Sequence, residues 1–207
     1  MPPKVKFQKE EIVRAALKVV REKGIDAVTA REVARELGVS PRPIFTYYDT
    51  MEQLRNDVYE MAKEEYRAYV ERGLADPVPF RAVGQQYLLF AREEPELYKL
   101  LFLTKPGSVS GGAQEALAFS QDLVRNSLMD FYRIDENTAD CYYRNLWLVA
   151  YSFATLIVTG ENFYTKEDMS KILGEISLSV FKAYKEVPGL AEGKADMNAE
   201  FQKLIGK

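Results

Sequence analysis

Between residues 29 and 50 the chain reads TAREVARELGVSPRPIFTYYDT, and this stretch holds the side chains best suited to contact chemistry. Ser40, Arg42, Thr46 and Tyr47 bring a guanidinium and hydroxyls close together in sequence. Such groups donate hydrogen bonds to phosphate oxygens, and an arginine can also pair bidentately with guanine. From the residue types alone, Arg42 reads equally well as a base contact or a phosphate contact. Thr29 and Arg31 lie just upstream, and Lys4 and Lys6 add cations near the N-terminus. Residues 1–50 carry ten Lys/Arg against seven Asp/Glu, and the rest of the chain carries 18 against 24. A piece of charge +3 on a body of charge −6 suits a polyanion that meets the N-terminal piece alone.

Covalent chemistry is poorly supplied. The 207 residues include no histidine and one cysteine, Cys141. Histidine-based metal sites and Ser–His or Cys–His catalysis are thereby excluded. An intrachain disulfide is excluded too, which fits a reducing cytosol. Cys141 lies in an aromatic helical pattern and reads as a half-buried core thiol. The segment KPGSVSGG at 105–112 lacks the lysine and spacing of a Walker phosphate loop, so it reads as a flexible loop. No cofactor or metal is implied. A helical enzyme built on a Tyr/Lys or carboxylate pair such as Glu93 and Glu94, or a helical adaptor without DNA binding, are the competing readings.

The elements that must position these residues are helical throughout. Composition, at 47% hydrophobic and 29% charged, is that of a soluble globular protein. Apolar residues recur at helical spacing and strand-like alternation is nearly absent. A first helix is expected over Gln8–Lys23, ended by Gly24 in the left-handed conformation. Thr29 with Glu32 forms a capping box for a second, which Gly38 closes. Ser40 is expected to cap a third with Pro41 at its first position, and Thr50 with Gln53 boxes a long fourth. Further helices follow from about Pro79, Pro95, Ala113, Glu136 and Thr165, with a short one near Met197–Ile205. Two short helices around a glycine turn make a helix-turn-helix, whose second helix lies in a DNA major groove. The bland alternative is an αα-hairpin whose charges form a solvated face. The opening MPPKVKFQKEE has no signal-peptide run, and the longest apolar stretch, WLVAYSFATLIV at 147–158, is too short to cross a bilayer. A cytoplasmic protein without a membrane partner is expected.

From about Ile12 to Leu54, through IVRAALKVVREKG, VTAREVARELGVS and IFTYYDTMEQL, the sequence resembles the TetR/AcrR family of bacterial transcriptional regulators. Phe45 stands where the family usually has tyrosine; it keeps the packing but has no hydroxyl for a phosphate. Met51 stands where the family commonly has lysine, and Lys4, Lys6, Arg31 and Tyr47 are placed to compensate. The resemblance implies an all-α protein with a three-helix DNA-binding head, residues 1–50, and a helical effector-binding and dimerisation domain, residues 51–207. It implies a homodimer on near-palindromic double-stranded DNA, most often a repressor released by a small-molecule effector. An effector pocket is implied among Tyr87, Phe90, Tyr98, Phe102, Phe119, Trp147 and Tyr151, although aromatics at helical spacing also serve as plain core. Arg144, Asn145, Glu161 and Asn162 are candidate polar handles. The dimer is implied to form through the last two long helices, with Phe153, Ile157, Ile176 and Val180 at the interface.

Overall fold

The fold is seen in a computed structural model that describes residues 8–105, 109 and 111–206. Lys4, Lys6 and part of the 105–112 loop lie outside the described residues. The helices are α1 (Lys9–Lys23), α2 (Ala30–Leu37), α3 (Met51–Leu74), α4 (Pro79–Glu93), α5 (Pro95–Tyr98), α6 (Gly112–Tyr132), α7 (Glu136–Thr159), α8 (Lys166–Glu186) and α9 (Met197–Leu204). No strand occurs among the described residues, as the periodicity predicts. One compact unit runs to Tyr69 and resumes over Leu89–Ala116; the other comprises Val70–Leu88 and the chain from Leu117 onward. The division after residue 50 drawn from the sequence is one of role, and the compact units cut the chain elsewhere.

In the first unit, Ile12, Val13, Ala16, Leu17 and Val20 bury the inner face of α1, and Val33 and Ala34 bury that of α2. Thr29 Oγ1 accepts the Glu32 amide at 3.2 Å, but the reciprocal half of the expected capping box is missing. The Glu32 carboxylate is drawn instead to Lys23 Nζ at 2.6 Å and to Arg35. Gly38 adopts φ +69°, ψ +30°, the left-handed conformation expected of it, and Val39 closes the turn by donating to the Ala34 carbonyl at 2.9 Å. A side chain at that φ costs about 1 kcal/mol or more, which is why glycine serves there. Gly24 departs from expectation: its φ is +80° but its ψ is 170°, so the chain leaves α1 extended rather than left-handed.

The expected third helix is reduced to one 3-10 turn over Ile44–Thr46. Pro41 and Pro43 have no amide to donate, and a proline disfavours helical geometry in the residue before it. What remains is Ile44 N–H to Pro41 O at 3.1 Å and Thr46 N–H to Pro43 O at 3.2 Å. Ser40 therefore caps no α-helix. The turn is held from below, because Ile44 is fully buried and Tyr48 nearly so. Tyr48 donates its hydroxyl to Asp57 Oδ2 at 2.7 Å, and Lys9 Nζ reaches the same oxygen at 2.7 Å. Downstream, Gln53 Oε1 accepts the amides of Asp49 and Thr50 at 2.9 and 3.3 Å, while Thr50 Oγ1 accepts the Gln53 amide at 3.3 Å. This capping box is complete, as expected. Arg21 reaches Glu65 and Glu94, each at 2.9 Å, and so ties α1 to α3 and to the residue that follows α4. After α5 the chain widens into a π-helical stretch over Lys99–Leu103 that buries the consecutive residues Leu100, Leu101 and Phe102.

In the second unit α4 approaches α3 closely. A Cβ on Gly73 would lie 2.7 Å from the Val83 backbone, so only glycine lets the two helices meet. Asp135 caps α7 through the Thr138 amide, and Thr165 boxes α8 with Asp168 as the sequence predicts. Arg125 bridges Asp122 at 2.6 Å and Asp140 at 2.8 Å, fastening α6 to α7.

Burial raises the Asp57 pKa, but hydrogen bonds from Lys9 and Tyr48 outweigh it and leave the carboxyl below its ordinary range. A depressed carboxylate stabilises above its unfolded pKa, near 3.8, and loses that contribution as pH falls through the folded value. Asp57→Asn is therefore expected to cost about 1 kcal/mol at neutral pH, the solvent-discounted worth of a charged hydrogen bond. Urea melts from neutral pH to about pH 2.5 check this, with the difference between variant and parent shrinking below the carboxylate range.

Candidate functional site

Two places in the molecule are built to meet something else. The first is the 3-10 turn and its flanks. Burying Ile44 and Tyr48 leaves Ser40, Arg42, Phe45, Thr46 and Tyr47 outward, with Thr29 and Arg31 exposed at the start of α2. All the described DNA-contact candidates are thus exposed and lie at or beside one turn. Among the described residues neither Arg31 nor Arg42 forms an ion pair, whereas Arg14, Arg21 and Arg35 are each engaged by glutamates. Uncompensated guanidiniums beside hydroxyls suit a phosphate backbone and the edges of bases. Phe45 is 54% exposed. A single 3-10 turn has room for few inward positions, and Ile44 and Tyr48 fill them. An exposed phenylalanine on this surface fits the apolar contact that a thymine methyl offers.

The second place is a chamber of about 130 Å³ within the second unit. Its walls come from Phe80, Val83 and Tyr87 of α4, Leu128 of α6, Tyr142, Leu146 and Trp147 of α7, and Leu173 of α8. Two wall positions, Gly84 and Gly174, have no side chain. A Cβ on Gly84 would meet only Leu173 Cδ1 at 3.8 Å, and one on Gly174 would meet nothing within 4 Å. These glycines therefore leave space open. The polar groups are few. Tyr142 Oη and Ser177 Oγ are paired at 2.7 Å, and burial pushes the Tyr142 pKa well up, so this phenol stays neutral. Arg81, Gln85 and Ser170, with Tyr143 and Ala150, complete the lining.

Of the aromatic residues proposed for a pocket, the chamber takes Tyr87 and Trp147. Phe90, Tyr98 and Phe102 belong to the first unit, where rings of Phe90 and Phe102 each lie 5.3 Å from Tyr66 and Tyr98 lies 4.7 Å from Phe102. They are fully buried core there. Tyr151 stacks on Trp147 at 5.0 Å, one layer behind the wall, and Phe119 is half-buried outside the lining. None of the expected polar handles lines the chamber: Asn145 donates to Tyr184 Oη at 2.9 Å and Asn162 to the Tyr164 carbonyl at 2.9 Å, while Arg144 and Glu161 are exposed. The residues missed, above all Phe80, Gly84, Leu128 and Leu173, had one legible signal, a glycine in the middle of each of two helices.

At the expected interface Phe153 is buried in its own chain against Tyr164, with ring centroids 5.2 Å apart. Ile157, Ile176 and Val180 are half-buried, while the exposed Leu148 of α7 and Leu178 of α8 lie on the opposite sides of their helices from those residues.

Residues 12–58 match the family profile described as bacterial regulatory proteins, tetR family, and residues 80–181 match that of the tetracyclin repressor-like C-terminal domain. The chain belongs to the TetR family. It is a transcriptional regulator with a helix-turn-helix DNA-binding domain, and its family's members are not enzymes. Solved structures agree in fold. A protein of unknown function from Rhodococcus sp. RHA1 is 20% identical with TM-score 0.67, over 88% of this chain and 98% of that one. A tetR-family transcriptional regulator from Streptomyces coelicolor is 14% identical with TM-score 0.66, over 96% of each chain. A TetR family member from Streptomyces coelicolor A3 is 22% identical with TM-score 0.58, over 81% of this chain and 96% of the other. No curated protein matches.

As a TetR regulator, the protein is expected to lose DNA affinity by about 1–3 kcal/mol in Arg42→Ala, and by a smaller step in Phe45→Ala. Neither change should move the melting temperature, because both side chains are exposed; fluorescence anisotropy and thermal melts check the two halves. Gly84→Ala should stabilise the fold by about 0.5–1 kcal/mol, since alanine is the better helix former and its methyl enters open space. A fall in the denaturation midpoint of Gly84→Ala would contradict the wall geometry given above.

Proposed function

We propose that this regulator is a ligand-responsive repressor: a cytoplasmic homodimer that holds a near-palindromic operator and releases it on binding a small apolar or aromatic effector. The observation that carries the reading is the apolar chamber, open to filling because two wall positions are glycine. Apolar walls with a few convergent polar groups are the usual form of a small-molecule site. Contact with DNA is assigned to residues 1–50, through Thr29, Arg31, Ser40, Arg42, Thr46 and Tyr47 with Lys4 and Lys6, and effector binding and dimerisation to residues 51–207. Effector contacts are assigned to Tyr87 and Trp147. Two heads on a palindrome need a dimer, and half-sites lie about one helical turn, or a multiple, apart. Ile157, Ile176 and Val180 are assigned to the interface, while Phe153 packs in the chain's own core. No helix among the described residues is long and apolar enough to cross a membrane.

Coupling between effector and operator is typically about 1–3 kcal/mol and is reciprocal. An effector that weakens operator binding must bind the operator complex more weakly by the same factor. Calorimetric titration of the effector with and without operator DNA is expected to show a 5- to 150-fold difference, roughly the span of that coupling. Equal affinities would remove the switch. For assembly, Val180→Asp is expected to yield monomers by light scattering, since an unpaired charge buried at an interface costs several kcal/mol by rough estimate. Phe153→Asp should instead lower the melting temperature, because its ring sits in the chain's own core.

A further inference from the structure

Resting on the chamber as the effector site, we infer that the effector is an amphipathic anion: one aromatic ring, or an apolar body of that size, bearing a carboxylate or similarly compact anionic group received by Arg81. Size comes first. A dry apolar cavity of about 150 Å³ holds a benzene molecule, so a chamber of about 130 Å³ takes a single ring and excludes nucleotides and fused polycyclic bodies. Chemistry comes second. The inner walls offer aromatic faces and aliphatic side chains, and the deep polar pair, Tyr142 Oη with Ser177 Oγ, satisfies itself.

The mouth is different. Arg81, Gln85, Ser170 and Gly174 line the chamber and also line an adjoining wide cleft, to which Lys166, Lys171, Glu167 and Glu175 contribute. Arg81 is thus the one charged residue in the chamber lining among the described residues. It is exposed and forms no ion pair among the described residues, and the same holds for Lys166. Lys171 faces Glu175 at 3.9 Å, so that lysine and that glutamate largely answer one another. Glu167 sits in the outer cleft and not in the chamber lining. An anion at the threshold therefore meets a guanidinium whose fork fits a carboxylate, with the Gln85 amide and Ser170 hydroxyl beside it. A cationic ligand gains from the aromatic faces but must pass the same guanidinium, and a neutral arene leaves it unused.

Calorimetric titration of the full chain with phenylacetate and benzoate against their neutral amides tests this directly, with toluene as an apolar reference. The acids are expected to bind about tenfold more tightly than the amides, the size of one charge-assisted hydrogen bond. Arg81→Gln should remove that preference and leave amide affinity unchanged; Arg81 is exposed, so its fold is preserved. Gly84→Ala should weaken acid and amide alike by filling the chamber. Amides binding as well as the acids, or an acid preference that survives Arg81→Gln, would overturn the anionic assignment while leaving the chamber reading intact. So would binding of toluene with neither acids nor amides. If no compound binds, toluene included, the chamber reading falls and this inference falls with it.

Discussion

The hydrogen bond from Tyr48 to Asp57 fixes where the exposed 3-10 turn can sit. A lone 3-10 turn has too few internal hydrogen bonds to hold its own shape. Its geometry is therefore supplied from outside. Ile44 inserts into the core, an apolar burial worth about 1.5–3 kcal/mol. Tyr48 and Lys9 meet on one carboxylate oxygen, and Gln53 gathers the two amides that precede α3. The side chains that project outward owe their direction to these inward ones. The outward side chains of Arg42 and Phe45 can then vary without touching the framework.

The second unit solves an opposite problem. Its chamber must stay open although packed interiors close over most voids. Gly84 and Gly174 accomplish this by omission, and Tyr87, Trp147 and Tyr151 by stiffness, since stacked rings do not collapse into a gap as an unbranched aliphatic chain does. Charge is confined to the rim. That separation lets one side of a bound molecule be chosen by shape and the other by charge.

Much of this was legible in the sequence. Helix positions followed from apolar spacing, and the boxes at Thr50–Gln53 and Thr165–Asp168 from residue type and interval. Capping failed where a competitor stood close in space: Lys23 is nine positions from Glu32, too far for a local rule to weigh. The third helix failed because Ser40–Pro41 reads as a helix start, while Pro43 two residues later disfavours helical geometry at Arg42. The aromatic residues show the deeper limit. Spacing says which face of a helix a ring occupies but not which neighbour it meets, so Phe90 and Tyr87, three positions apart on α4, fell into one predicted pocket although they serve different units. Widening of the helix at Lys99–Leu103 leaves no periodic trace, since three consecutive buried residues look like any apolar run.

The open chamber also bears on how long the protein lasts. Voids in protein cores cost about 24 cal/mol per Å³, so one of about 130 Å³ corresponds to about 3 kcal/mol of forgone packing. That is a large share of the 5–15 kcal/mol that typically separates a folded domain from its unfolded chain, by rough comparison. Any molecule that occupies the void returns part of that packing to the folded state alone. The empty protein is accordingly the form more open to proteolysis and the filled one the more persistent. Abundance in the cell thus becomes a second quantity that tracks occupancy, alongside affinity for DNA.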